Sequence, residues 1–149
     1  MNATRKAGSG RKAGDPPATR PVQWHWIDRR ALDLLHDESL ATHGGASGLR
    51  DEGLLESALA RPLNLVAYGS PEVWDLAAAY GVGLAKNHAF VDGNKRAAFL
   101  AVGLFLVLNG YRLTASQADA TLTMLAVASG QMDEATFARW LREHTQKRK

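Results

Sequence analysis

Cysteine is absent from the 149-residue sequence. That excludes disulfides and thiolate zinc sites, and it leaves the redox compartment undetermined. Long apolar runs are missing too. The longest, Ala97–Leu108 (AAFLAVGLFLVL), has twelve residues, against about 20 for a helix that crosses a bilayer. It reads instead as a buried central helix around which the others pack, and no membrane partner is expected. The first twenty residues contain no apolar segment of the secretory type, so the expected location is cytoplasmic. No G-x-x-x-x-G-K-[ST] segment occurs, which excludes a P-loop enzyme. There is no H-E-x-x-H pair, and His25, His36, His43 and His144 stand at no metal-binding spacing. Those four read as surface or capping groups. No segment of any length shows the period-two alternation of a strand.

Acidic residues are scarce at the two ends. Residues 1–21 carry Arg5, Lys6, Arg11, Lys12 and Arg20 against Asp15 alone, and residues 142–149 carry four cations against Glu143. The ends therefore hold +4 and +3 of a total of +3, and the body, 22–141, is −4. A basic groove that tracks a phosphate backbone is not evident, so no specific nucleic-acid partner is expected. The tails would attract polyanions only loosely.

What is present suits one globular domain. A chain of this length can bury roughly two-thirds of its unfolded surface, and 46% of its residues are apolar. Residues 1–21, rich in Gly, Pro, Lys and Arg, read as a disordered basic tail, and 22–146 as the folded domain. Asp28 is a candidate N-cap for a helix with Ala31, Leu32, Leu34, Leu35 and Leu40 as its stripe. Thr42–Asp51 is a Gly-rich loop. A short helix from Glu52 to Ala60 should stop before Pro62. Pro71 suits the first position of a helix running to Asn87. Asn94–Leu108 forms the next, closed by Asn109-Gly110. Ser116 and Asp133 open the last two. The fold class expected is all-α, with about six helices.

The segment His88-Ala89-Phe90-Val91-Asp92-Gly93-Asn94-Lys95-Arg96 falls where one helix ends and the next begins. The first turn of a helix has unpaired N–H groups and a dipole that favour an anion. Gly93 lets the backbone approach a ligand. Asn94 can fix the turn or donate to a phosphate oxygen, and Lys95 and Arg96 add two cations. Cations are disfavoured at a helix start, which suggests a bound anion that offsets the cost. Asp92 is too little to hold a metal alone, but enough for Mg²⁺ that also binds phosphates and water. His88 alone here can take a proton near neutral pH. Singly, His88 could be a C-cap, Asp92 an N-cap and Lys95-Arg96 a solvated pair; Phe90 reads as an anchor in the core. Together they describe a nucleotide phosphate-transfer site.

HAFVDGNKR resembles the signature of the Fic/Doc superfamily, and of its Doc branch: His-x-Phe-x-Asp/Asn-Ala/Gly-Asn-Lys-Arg, met at all seven specified positions. LLHDESLATHGGASGLRDEGLLESALARP and AAFLAVGLFLVLNGYRL are similar to the regions that flank it in Doc proteins, so the likeness spans roughly 28–144. It implies a toxin of a toxin–antitoxin module, a kinase that moves the γ-phosphate of ATP to a Ser/Thr hydroxyl of elongation factor Tu. It also implies that His88 is the base, that Asp92 holds Mg²⁺ and orients His88, and that Gly93, Asn94, Lys95 and Arg96 receive phosphates. Lys86 falls where Doc-like sequences have a cation, and Thr42–Asp51 where they have a flap over the substrate. Fic enzymes that transfer AMP have glycine where this chain has Lys95, but Gly93 is Fic-like, so AMP transfer stands as the alternative. An inactive Fic-fold binding module is the third reading. Gly48–Gly53 meets the autoinhibitory Fic pattern only in part, so restraint is expected from a Phd-like antitoxin, docked beside the flap where Leu32, Leu35 and Leu40 cannot all face one core.

Overall fold

The computed structural model describes residues 22–148; the tail assigned to 1–21 lies outside them. Six helices form among the described residues: α1 (Arg29–His43), α2 (Glu52–Tyr68), α3 (Val73–Asn87), α4 (Asn94–Leu108), α5 (Gln117–Ser129) and α6 (Glu134–Glu143). None is long and apolar enough to cross a membrane. Strands β1 (Tyr111–Leu113) and β2 (Thr145–Lys147) pair antiparallel, Arg112 opposite Gln146. This small ribbon was not expected, and it ties the basic carboxy-terminal segment to the end of α4. The class remains all-α.

A central helix exists, but α3 holds that place more fully than α4. Ten of its fifteen residues are buried, against six in α4. The reason is its small side chains. A Cβ on Gly83 would come within 3.2 Å of the Ala58 backbone in α2, and one on Gly81 within 2.8 Å of Phe137 in α6 and Val102 in α4. Neighbours therefore approach α3 on three sides, which raises packing contact without long side chains.

Four of the expected starts hold: the carboxylates of Asp28, Asp51 and Asp133 and the Ser116 hydroxyl each accept a first-turn N–H. Two boundaries are corrected. α2 continues past Ala60 through Pro62 to Tyr68. An interior proline costs about 3 kcal/mol, but Pro62 is fully buried, and burial of an apolar side chain contributes about 1.5–3 kcal/mol. α3 begins at Val73 rather than Pro71, because the Asp75 carboxylate accepts from the Glu72 N–H and closes the helix there. In α1, Leu32 and Leu40 are buried while Leu34 is 70% exposed. Leu32 and Leu40 therefore face the chain's own interior, while Leu35 between them is only half-buried.

Candidate active site

His88 follows the last residue of α3 and takes a left-handed conformation, φ 51° and ψ 46°. It is the one non-glycine with positive φ among the described residues, a strained state that histidine tolerates better than most. So it is a helix C-cap, and the same turn swings its side chain into a cavity of about 480 Å³. Arg50 holds this turn: its Nε donates to the His88 carbonyl at 2.7 Å and its fork to the Asn87 carbonyl at 3.3 Å. The guanidinium thereby satisfies carbonyls that the end of α3 leaves unpaired.

Segment Gly44–Arg50 lies across the motif as a strap. Val91 N–H donates to the Gly48 carbonyl, and the Arg50 and Asp51 N–H groups both donate to the Ala89 carbonyl. Leu49 and Phe90 form an isolated antiparallel bridge. Phe90 is buried, as its anchoring role required. Its ring stacks on His36, with centroids 4.0 Å apart.

His36 corrects the reading of the isolated histidines. It is 3% exposed, and neither ring nitrogen has a partner. Burial holds its pKa below the ordinary 6.5, and the Arg96 cation adds to this against the carboxylates of Asp37, Asp33 and Asp92. The neutral ring is packing under the motif. His43 and His144 do cap, each with Nδ1 against a carbonyl four residues back.

Asp92 points both ways across the strap. Oδ1 accepts from Gly93 N–H at 2.8 Å and Oδ2 from Ala46 N–H at 3.2 Å. These two N–H groups, with Arg96 behind them, hold its pKa below the ordinary carboxylate value. No hydrogen bond joins it to His88; Arg50 orients the His88 turn instead. An ionised carboxylate keeps free lone pairs after two N–H contacts. Among the described residues no group of three His, Asp or Glu side chains could cage a metal. The donor set fits Mg²⁺ that arrives on a nucleotide, with phosphates and water completing the shell.

Asn94 resolves between its two readings. Its Oδ1 accepts from the Phe90 N–H and its Nδ2 donates to the Phe90 carbonyl, both at 3.0 Å. Its side chain fixes the turn. Gly93 stands at φ 74°, and a Cβ there would sit 3.0 Å from His36 Cε1. α4 consequently begins with no side chain over its first N–H groups. Lys95, exposed, and Arg96, half-buried, flank that opening. One Arg96 nitrogen is committed to the Gly44 carbonyl at 3.0 Å.

The cavity is thus walled by His88, Asp92, Gly93, Asn94, Lys95 and Arg96, with Ala85, Val91 and Ala128. Lys86 is not among its walls; it is exposed on the last turn of α3, with Nζ beside Gly130. A larger hollow, about 670 Å³, lies between the end of α2 and α6. It has no histidine beside a cation pair, unlike the smaller cavity. Arg50 and His36 were not singled out from sequence.

Residues 26–106 match the model of the Fic/DOC family. The chain belongs to the Fic/DOC family. "Protein kinase doc" of Escherichia phage P1 is 35% identical over 117 residues, 78% of this chain and 92% of that protein. "Toxin Doc" of Mycolicibacterium smegmatis is 48% identical over 93 residues, 60% of this chain and 68% of that protein. Both relatives are Doc proteins, and this Fic/DOC chain is a Doc-type member.

Proposed function

We propose that this protein is the toxin of a toxin–antitoxin pair, a kinase that moves the γ-phosphate of ATP to a Ser/Thr hydroxyl of a cytoplasmic translation factor such as elongation factor Tu. The observation that carries the reading is the open first turn of α4, flanked by two cations and facing the same cavity as a histidine. A terminal phosphate fits there because unpaired N–H groups, a helix dipole and two cations all favour negative charge.

The His88 imidazole takes the proton of the acceptor hydroxyl as its oxygen bonds to the γ-phosphorus. The bond from that phosphorus to the β-bridging oxygen breaks, and ADP leaves with the electron pair. Asp92 would hold the Mg²⁺ carried with ATP, which neutralises charge on the phosphates. The names of the relatives support kinase and toxin alike.

AMP transfer is the second reading, and Gly93 is the observation that favours it. Lys95 weighs against it, because its stem and charge stand where AMP-transferring relatives have only a glycine. An inactive binding module would need no base beside an ionised carboxylate. The decisive experiment incubates the protein with elongation factor Tu and ATP labelled at either the α- or the γ-phosphate. Transfer of the γ label alone is expected. Transfer of the α label establishes AMP transfer, and transfer of neither to any protein of a lysate leaves the binding module. We further infer a small neighbouring-gene antitoxin as the restraint, whose co-expression should restore growth.

A further inference from the structure

Of the four residues that lead into α4, Phe90 to Gly93, only Phe90 is buried. Two groups fix it. The Asn94 side chain clasps its backbone N–H and carbonyl, both at 3.0 Å. Its ring lies against the His36 ring, with centroids 4.0 Å apart. The same imidazole reaches the other end of the segment, since a Cβ on Gly93 would meet His36 Cε1 at 3.0 Å. Leu40, one turn further along α1, completes this floor: the Gly93 Cβ would meet its Cδ2 at 3.3 Å. His36 thus underlies both ends of the segment that separates His88 from the first turn of α4.

Burying an imidazole in this way is unfavourable. The residue is 3% exposed, and no protein group reaches either ring nitrogen. A buried polar atom without a hydrogen bond destabilises a fold, and a leucine would carry no such penalty. Shape supplies a reason to keep the histidine. Imidazole is a single five-membered ring, the smallest flat side chain a protein has. A phenyl ring reaches farther from the backbone, so its edge would press on Gly93, where the imidazole already packs closely. Leucine has no flat face to set against Phe90.

We propose that His36 is a positioning residue, whose small flat ring sets Phe90 relative to Gly93 and thereby His88 relative to the phosphate at the start of α4. This rests on the phosphate-site reading above. Displacing reacting groups by about 1 Å can lower turnover by about 10²-fold. Nucleotide affinity is a separate quantity, because the open N–H groups belong to α4 itself.

The test compares His36→Leu, His36→Phe and a protein with β-(2-furyl)alanine at position 36, introduced by nonsense suppression. Furan keeps a flat five-membered ring and has no nitrogen. Turnover is read as γ-phosphate transfer to elongation factor Tu, and ATP–Mg²⁺ affinity by calorimetry. The leucine and phenylalanine variants should lose turnover by about tenfold or more, with ATP affinity held within about threefold. Furylalanine should restore the turnover that leucine loses. Full turnover in the leucine variant overturns the proposal. So does a furylalanine protein that binds ATP yet stays as slow as the leucine variant, since the nitrogens would then matter and not the shape. If the unsubstituted protein transfers no phosphate, the kinase reading falls, and crystal structures of the variants decide this proposal by themselves. The separation of His88 Cα from the Asn94 N–H should change by about 1 Å with leucine and phenylalanine and stay the same with furylalanine. An unchanged separation in all of them overturns it.

Discussion

α2 and α4 start within one hydrogen-bonded cluster, yet they start differently. At α2 the Asp51 carboxylate accepts from the Leu54 N–H at 3.0 Å, and its own N–H donates to the Ala89 carbonyl of the motif. At α4 the residue before the helix is Gly93, and nothing covers the first turn. A lost cap typically costs about 1 kcal/mol. The fold accepts that cost at one helix start and avoids it at its neighbour. The difference fits the phosphate site proposed above: α2 is closed by its own chain, whereas the start of α4 stays open.

That contrast can be broken at several points. The largest effect should come from His88→Ala: phosphotransfer falls by about 10²–10⁴-fold, while ATP still binds and expressing cells grow. A variant that stays toxic removes His88 from the role of base. Next, Lys95→Ala should weaken ATP binding by about tenfold or more, since a hydrogen bond to a charged group contributes about 1.5–3 kcal/mol. Its thermal midpoint should hold, because Lys95 is exposed. Lower stability with unchanged binding would reverse the contrast.

Asp51→Ala should do the opposite at α2. Urea denaturation should show a loss of about 1 kcal/mol, with ATP affinity kept within twofold. If ATP binding collapses instead, the two helix starts are not independent. The smallest effect concerns acid. Asp133 accepts from the Thr136 hydroxyl and N–H, which hold its pKa below the ordinary 3.8, with Arg139 helping. A depressed carboxylate contributes stability that is present above 3.8 and lost as pH falls through the lower folded value. Asp133→Asn keeps the cap without the titration, so its stability should fall less between about pH 4 and pH 2. Parallel pH curves would show that this cap does not titrate as described.

Much of this was legible in the sequence, and the unread parts have physical causes. The bounds of α4 and the caps at Asp28, Ser116 and Asp133 were legible because they depend on neighbours in the chain. The gathering of His88, Asp92, Lys95 and Arg96 was legible because they share nine residues. The run of α2 through Pro62 was not, since tertiary burial outweighed a local rule. The β1–β2 ribbon joins three residues to three across the whole of α5 and α6, and segments so short carry no period. Arg50 acts on a helix end 38 positions away. His36 had a signal that went unread: Leu32, His36 and Leu40 stand at i, i+4 and i+8, one face of α1, and both leucines are core.

The strap has a consequence for how the molecule must be made. Its bonds to His88, Asp92 and Arg96 join residues 38 to 52 positions apart. A polypeptide beginning at Val73 would contain the complete nine-residue signature and four of the six helices. It would lack Arg50 over the His88 carbonyl, the Ala46 N–H on Asp92 and the His36 ring beneath Phe90. During synthesis, therefore, the emerging motif gains these contacts only when it docks on a strap that left the ribosome first. Mixing that polypeptide with a separate 22–72 peptide would ask whether the site is restored by association.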